Sequence, residues 1–358
     1  MTGLRDNDRF HGLPEDGVGL DSSWFERLTV FQKVETRHQA QYKRRKWPCL
    51  PDGVWSKRPT YHYPHILPDG CVDENFYPPI YPDIHRYLEE ENIAAHTELL
   101  NLRSSQACCF NFLFPLRLDL ALAALVLSAA LPGVRQVSAI EFEYTGPDGA
   151  TEWLGEPPGG KRGQHRTSVD AAIWWRDEEG RRTLTLVEWK YTEAEFGSCG
   201  GYHSRNNRQR GRCRGLNVHT VEPERECYLA TGTDNRTSRR YWEHLAKAGI
   251  ALEKYEDRCP CPFIGPFQQL MRQYLLAAYC RVNMTELYEV DLVVMGFRGN
   301  HDLLRVPQYL SHLGKDVISA WNCVLTTAPP LRVVFAEDML ASAPNDEWRR
   351  YVRERYSV

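Results

Sequence analysis

No apolar run in this chain is long enough to cross a bilayer. The longest, LALAALVLSAALPG (120–133), is shorter than the roughly 20 residues of a spanning helix, and Arg117 and Asp119 flank one end. A buried core helix accounts for it, and no membrane partner is expected. An excess of one charge is missing too. The 44 Lys and Arg meet 47 Asp and Glu, for a net charge of -3. Chain-wide attraction to nucleic acid is thereby excluded, and any such binding has to come from a local patch. No internal repeat is present. A Cys-x-x-Cys pair is also absent, although the chain has eleven cysteines. Structural zinc sites usually contain such a pair. Cys199, His203, Cys213 and Cys227 are the candidates for zinc, but unligated thiols are the simpler reading, and CPCP (259–262) sets its two thiols too close for a standard knuckle. The opening MTGLRDNDRF is polar and has no secretory apolar core. Free thiols and a cytoplasmic location are therefore expected.

What is present describes a folded chain: 42% of residues are hydrophobic and 25% charged. With 358 residues there is room for one large domain or two smaller ones. Residues 1–90, which include HYPHILPDG and NFYPPIYPDIHRYL, have no helical or strand period and read as an irregular arm that lays aromatic rings over a core. Residues 91–109 read as a helix. Residues 117–131 read as a second, fully buried helix ended by Pro132–Gly133.

The period then changes to two. QVSAIEFEY (136–144) places Val137, Ala139, Glu141 and Glu143 on one side of a strand and Ser138, Ile140, Phe142 and Tyr144 on the other. Beyond a Gly/Pro-rich loop (145–166), TSVDAAIWW (167–175) and TLTLVEWKY (183–191) flank the turn-like RDEEG. A hairpin centred on Glu179 sets Asp170 opposite Glu188. Alternation then gives Glu188 and Lys190 one face, and Val187 and Trp189 the other. Further on, ECYLATG (226–232) reads as a strand, and NRTSRRYWEHLAKAG (235–249) as a helix ending at Gly249. PFQQLMRQYLLAAYC (266–280) is the clearest amphipathic helix, with Gln269, Arg272 and Gln273 on its polar side. YEVDLVVMGF (288–297) reads as a core strand, LRVVFAEDML (331–340) as a further one, and residues 341–358 as a solvated charged helix.

Two carboxylates and one ammonium on one apolar patch suggest a metal site. Carboxylates about 4 Å apart repel by roughly 4 kcal/mol at an effective dielectric near 20, so positive charge must offset them. Lys190 offers one charge and a divalent cation two. Mg2+ takes oxygen ligands, typically one or two protein carboxylates plus substrate phosphate, and Asp170 and Glu188 supply them. Lys190 is placed to orient or help deprotonate an attacking water, or to stabilise the transition state of phosphodiester cleavage. The bland alternative is a surface hairpin with a cross-strand Glu–Lys pair.

SVDAAIWW and TLTLVEWKY, in the order helix, strand, Asp strand, Glu-x-Lys strand, helix, strand, resemble the PD-(D/E)XK nuclease superfamily over about residues 96–297. NLRSSQACCFNF, IEFEYTGPDG, VEWKYTE and CPFIGPFQQLMRQYLLA look more narrowly like a bacterial restriction-endonuclease-like family. The resemblance implies an α/β fold with a restriction-endonuclease-like core, in which a mixed central β-sheet is flanked by helices. It spans a catalytic domain at 91–340, with residues 197–220 as an insertion. It also implies that Asp170 and Glu188 bind Mg2+ or Mn2+, that the Trp189 carbonyl adds a ligand, and that Lys190 is the catalytic lysine. Among acids that would complete the site, Glu143 is favoured over Glu98 and Glu141, because a neighbouring strand reaches the patch more easily. Val169 stands where the superfamily commonly has proline, and its Gln-x-x-x-Tyr spacing is absent here.

The insertion carries Arg205, Arg208, Arg210, Arg212 and Arg214 and no acid. It is the composition a phosphate backbone recruits, and Arg272, Gln269 and Gln273 are further candidates for phosphate contact. The expected activity is Mg2+-dependent endonuclease cleavage of DNA, with RNA not excluded, a restriction or defence role by resemblance, and a homodimer if one site per chain is to cut both strands. A binding protein that keeps the fold without cleaving is the alternative. A third reading, metallophosphoesterase, rests on GNHD (299–302) after a strand and on Asp83 and His85.

Overall fold

A five-stranded mixed sheet forms where the period-two segments were read. The computed structural model describes residues 22–162, 166–219, 222–232, 238–256 and 259–358. The polar opening and parts of the segments read at 145–166, 197–220 and 235–249 lie outside them. A short ribbon pairs β1 (Gly53–Trp55) with β2 (Arg58–Tyr63). The main sheet contains β3 (Gln136–Tyr144), β4 (Val169–Arg176), β5 (Arg182–Trp189), β6 (Glu289–Gly296) and β7 (Arg332–Phe335) in that spatial order. Strands β3, β4 and β5 form an antiparallel meander, and β5–β6 and β6–β7 are parallel.

The hairpin register follows from the turn. Ala171 faces Val187 and Arg176 faces Arg182, which is symmetric about Glu179. Asp177 closes the turn by accepting from the backbone N–H of Arg181 at 2.9 Å, and Gly180 takes the positive φ of +75°. Each sheet face buries its own core. Ala171, Ile173, Val187 and Trp189 pack under the helix Ser105–Leu118 together with the C-terminal helix Glu347–Tyr356. On the other face, Ala172, Trp174, Leu184 and Leu186 pack against the helix Phe267–Asn283. Alternation along β5 therefore turns Glu188 toward that second helix.

Several expectations are corrected. Residues 91–104 are turns, and the first core helix begins only at Ser105, where the Ser104 side chain caps it. The next helix is Leu120–Ser128, and Leu125 on it is 53% exposed, so it is not fully buried. Strand β3 departs from strict alternation at both ends. A register shift lies between Val137 and Ala139, and Glu143 takes a left-handed φ of 48°. The segment read as a strand at 226–232 is the end of a one-turn helix followed by turns. The described part of 235–249 holds two short 3-10 turns ending at Gly249. Only Arg332–Phe335 of 331–340 is strand; Ala336–Ala341 is helix.

The irregular arm contains a 17-residue helix, Val30–Lys46, and a ten-residue helix, Tyr81–Glu90. The first escapes periodicity because it buries Glu35, Thr36, Gln39 and Lys43 rather than an apolar stripe. Its contact is the C-terminal helix, which is charged but not simply solvated. Arg355 is fully buried, donates to Asn75 Oδ1 and the Leu102 carbonyl at 2.8 Å each, and lies over the rings of Tyr42 and Tyr356. Gln39 Nε2 reaches the Arg355 carbonyl at 2.8 Å and the Tyr191 hydroxyl at 2.7 Å. Tyr191 donates to Glu35 Oε2 at 2.6 Å. The arm helix is thereby tied to the residue next to Lys190.

Burial raises the Glu35 carboxyl to about 7, against the Tyr191 hydrogen bond and the charges of Arg355 and Arg103. The folded state holds this proton more tightly than the unfolded chain. Its stabilisation is complete below pH 4.5 and is lost as pH rises to about 7. Glu35→Gln is expected to gain on the native protein by up to about 3 kcal/mol between pH 4.5 and 8, measured by denaturant unfolding at each pH. Parallel stability curves for the two proteins would contradict this origin.

Candidate active site

Strand β4 brings Asp170 and strand β5 brings Glu188 to neighbouring positions on the face under the helix Phe267–Asn283. One oxygen of Asp170, Oδ2, accepts the backbone N–H of Trp189 at 2.6 Å. Trp189 enters the site through its backbone alone, since its indole packs on Phe112 across the sheet. Lys190, just past the end of β5, remains in line because its N–H bonds to the Met295 carbonyl of β6 at 2.8 Å. Its ammonium lies 2.8 Å from Glu188 Oε1.

The helix supplies the rest of the grip on Glu188. Gln269 and Gln273 are one turn apart and share a face. Gln269 Nε2 donates to Glu188 Oε1 at 2.6 Å, and Gln273 Nε2 donates to Oε2. The polar side of this amphipathic helix thus turns inward to a carboxylate rather than outward to solvent. Gln269 Oε1 also accepts from Lys190 Nζ at 3.3 Å and from the Gly197 N–H at 2.7 Å. Gln273 Oε1 is buried beside Glu188 and has no partner among the described residues. Arg272 turns to the start of β4, where it contacts Thr167 Oγ1 at 3.0 Å and Glu156 at 3.5 Å. Glu156 in turn accepts from the Thr167 backbone and hydroxyl and from Tyr241, all at 2.6 Å.

Of the three further acids, Glu143 is the one whose charge acts on both Asp170 and Glu188. It is buried, and Gln106 Nε2 donates to it at 2.9 Å, Ser168 Oγ at 3.2 Å, with His96 Nε2 3.6 Å away. Its left-handed backbone is rare for a residue with a side chain and costs on the order of 1–2 kcal/mol. Glu141 instead accepts from the Trp174 indole at 2.7 Å, and Glu98 lies beside Ser56 and Lys57 of the ribbon.

Charge is poorly balanced here. Burial, then the nearby Glu188 and Glu143, push Asp170 well above the usual carboxylate range; Lys190 and the Trp189 N–H oppose this without offsetting it. Burial and Glu188 also raise Glu143, against His96, Gln106 and Ser168. For Lys190 burial disfavours the charge, but Glu188, Glu193 and Asp170 outweigh it, so the pKa lies above the ordinary lysine value. Lys190 is therefore a fixed cation at neutral pH. The carboxylate oxygens suit Mg2+ or Mn2+, and the excess negative charge is what such an ion would neutralise.

The insertion leaves directly from this site, since Gly197 bonds to Gln269. All five arginines are exposed. Arg210 and Arg214 brace the loop through the Ser204 carbonyl and the Tyr202 hydroxyl, and Arg212 pairs with Glu226 at 3.2 Å. Cys199 is buried, Cys213 and Cys227 half-buried, and His203 exposed. The metallophosphoesterase residues do not assemble. Asp83 and His85 lie on the helix Tyr81–Glu90, and His301 and Asp302 on the 3-10 turn after β6. No metal-ligand trio within 4.8 Å among the described residues includes these four, nor Asp170, Glu188 and Glu143, but the latter three interact through their charges.

Sequence reasoning missed Gln106, Ser168, His96, Glu193 and Glu156. Gln106, Ser168 and Glu156 act through hydrogen bonds to residues distant in sequence, which no local spacing marks, whereas His96 and Glu193 act by charge on Glu143 and Lys190. Removing Lys190 would leave the Glu188 charge uncompensated. Lys190→Met in EDTA is expected to lose about 3 kcal/mol at pH 8 and less at lower pH, as Asp170 and Glu143, whose carboxyls burial raises, take up protons. Equal unfolding midpoints at pH 8 would remove the lysine from the charge balance.

No curated protein and no solved structure matches the chain. One family does, with its match running over residues 36–357 and so through the helices and all seven strands described above. The chain belongs to the family described as restriction endonuclease associating with ARP.

Proposed function

We propose that the protein is a metal-dependent endonuclease of PD-(D/E)XK type that hydrolyses phosphodiester bonds in DNA. The observation that carries this reading is the meeting of Asp170, Glu188 and Lys190 on one buried sheet face, with Glu143 in electrostatic contact. Membership of a restriction-endonuclease family supports the same conclusion.

Asp170 and Glu188, with the Trp189 carbonyl, are the residues that would hold Mg2+ or Mn2+, and Glu143 completes the acidic set. Such an ion, when bound, lowers the pKa of a coordinated water and neutralises charge that builds on the phosphate. The chain's own residues do the rest. Lys190 keeps its proton, so it acts as a cation toward the phosphate oxygens and orients the attacking water rather than deprotonating it. Gln269 and Gln273 fix the Glu188 carboxylate. The unpaired Gln273 Oε1 is an acceptor for a water at the site. Arg272, through Glu156 and Thr167, positions the start of the Asp170 strand. The arginines at 205, 208, 210, 212 and 214 contact the phosphate backbone. A homodimer would let two such sites cut both strands, and the family's description adds association with ARP as a partner.

The test is incubation of the purified protein with plasmid, linear and single-stranded DNA, and with RNA, in Mg2+, Mn2+ or EDTA. Metal-dependent cleavage is expected, reduced at least 100-fold by Lys190→Ala and unchanged by His301→Ala. DNA retained but never cut would make the protein a binding module; phosphatase activity lost with His301 would make it a metallophosphoesterase. Arg208, Arg210 and Arg212 replaced together by alanine are expected to weaken DNA binding and reduce the slope of log K against log salt by roughly 2–3. An unchanged slope would take the loop out of the interface.

A further inference from the structure

The insertion has a problem of stability. Among the described residues its regular structure amounts to the one-turn helices Gly200–His203 and Arg210–Arg214, with Pro223–Glu226 just beyond it, and it buries few apolar side chains, Leu216 among them. Segments of this kind need a staple other than a hydrophobic core. Four of the eleven cysteines lie in the parts that hold it together. The Cys261 N–H donates to the Cys213 carbonyl at 2.8 Å, and the Cys199 N–H donates to the Ile264 carbonyl at 3.2 Å. Gly201 lies so close to the segment after Cys227 that a Cβ there would meet Leu229 at 2.6 Å. Three stretches far apart in sequence thus converge, each bringing at least one thiol.

We propose that Cys199, Cys213, Cys227 and Cys261 bind one zinc ion that staples the arginine-rich insertion. The zinc candidates in the sequence, set behind unligated thiols, were Cys199, His203, Cys213 and Cys227. His203 is exposed, its ring against Tyr202, whereas Cys261 is buried and its backbone bonds to that of Cys213. The sequence conceals this set because Cys261 comes from the CPCP segment, 34 residues beyond Cys227.

The surroundings suit bound thiolate. The Tyr202 N–H points at Cys199 Sγ at 3.4 Å. Backbone donation from Phe263 favours thiolate at Cys261, as does the Asn207 side chain at Cys213. Such donors around sulfur orient and stabilise metal-bound thiolate. Without an ion Cys199, Cys213 and Cys261 hold their protons: burial raises Cys199 to about 11, Cys213 above and Cys261 well above the ordinary thiol value, and neighbouring thiols add to each. Zinc binding releases one proton from each thiol and leaves a centre of net charge 2− among arginines with no acid between 197 and 220. Tetrahedral Zn–S bonds of about 2.3 Å require the sulfurs to close to roughly 3.8 Å of one another. Among the described residues the one trio of ligand atoms already within 4.8 Å is Glu256, Cys259 and His312, so the four thiols close by side-chain rotation. The quartet is preferred to that trio because Glu256 and His312 are exposed, and the His312 Nε2 already accepts the Glu256 N–H at 3.3 Å. That the staple shapes a DNA-binding loop rests on the nuclease reading; the staple itself does not.

Zinc content decides the matter. The full chain, purified with zinc and a thiol reductant and dialysed against metal-free buffer, is expected to retain one zinc per chain by plasma mass spectrometry. Cys213→Ser and Cys261→Ser are expected to lose it; Cys49→Ser, Asp170→Asn and the Cys259→Ser/His312→Ala double variant are expected to keep it. Cobalt in place of zinc is expected to give the intense visible bands of a tetrahedral all-thiolate centre in the native chain, a readout that does not depend on any variant folding. No retained metal, loss only in the double variant, loss only in Asp170→Asn, or cobalt bands of a single-thiolate centre would each overturn the assignment. DNA cleavage by a zinc-free chain leaves the nuclease reading standing while this one fails.

Discussion

The buried Glu188 carboxylate is the constraint around which the rest is arranged. It lies in a strand whose nearest residues on that face, Leu184 and Leu186, are fully buried. A carboxylate in that setting is tolerated only when its oxygens are satisfied and its charge opposed. Lys190 opposes the charge from two residues away on the same face, and Gln269 and Gln273 satisfy the oxygens from the helix above. The mixed sheet is therefore a frame that sets three elements around one acid: the Asp170 strand beside it, the Lys190 backbone bonded to β6, and the glutamine helix across it.

Positive charge falls short of what the acids require. Lys190 opposes Asp170 and Glu188, Arg272 interacts with Glu188 as well, and His96 opposes Glu143, yet both Asp170 and Glu143 hold their protons more tightly. Perturbed carboxyls of this kind cluster where function needs them, and the left-handed Glu143 backbone adds strain at the same place. The divalent cation proposed for these acids would relieve the imbalance. Under that proposal the lysine, protonated beside it, would act on a phosphate as a charge.

The hairpin and its chemistry were legible because a strand period of two and a symmetric turn leave little freedom: Glu179 at the centre fixes Asp170 against Glu188. The helix Phe267–Asn283 was legible from its apolar stripe, but not the inward aim of its glutamines, since a polar face looks the same whether it meets water or a buried carboxylate. The arm helix Val30–Lys46 was hidden for the reverse reason. Its buried residues are polar, and their partners, Tyr191 and Arg355, lie some 150 and 300 residues away. The C-terminal helix was read as solvated because arginine rarely goes inside; the Tyr42 and Tyr356 rings and the Asn75 side chain make Arg355 the exception.

The central claim is that these acids bind a divalent ion. Titration of the apoprotein with Mn2+, with free ion followed by electron paramagnetic resonance, tests it without reference to any substrate. The account calls for saturable binding that Asp170→Asn abolishes, while Lys190→Ala, which removes a competing cation, leaves it intact. Absence of binding to the native chain, or binding indifferent to residue 170, would contradict it.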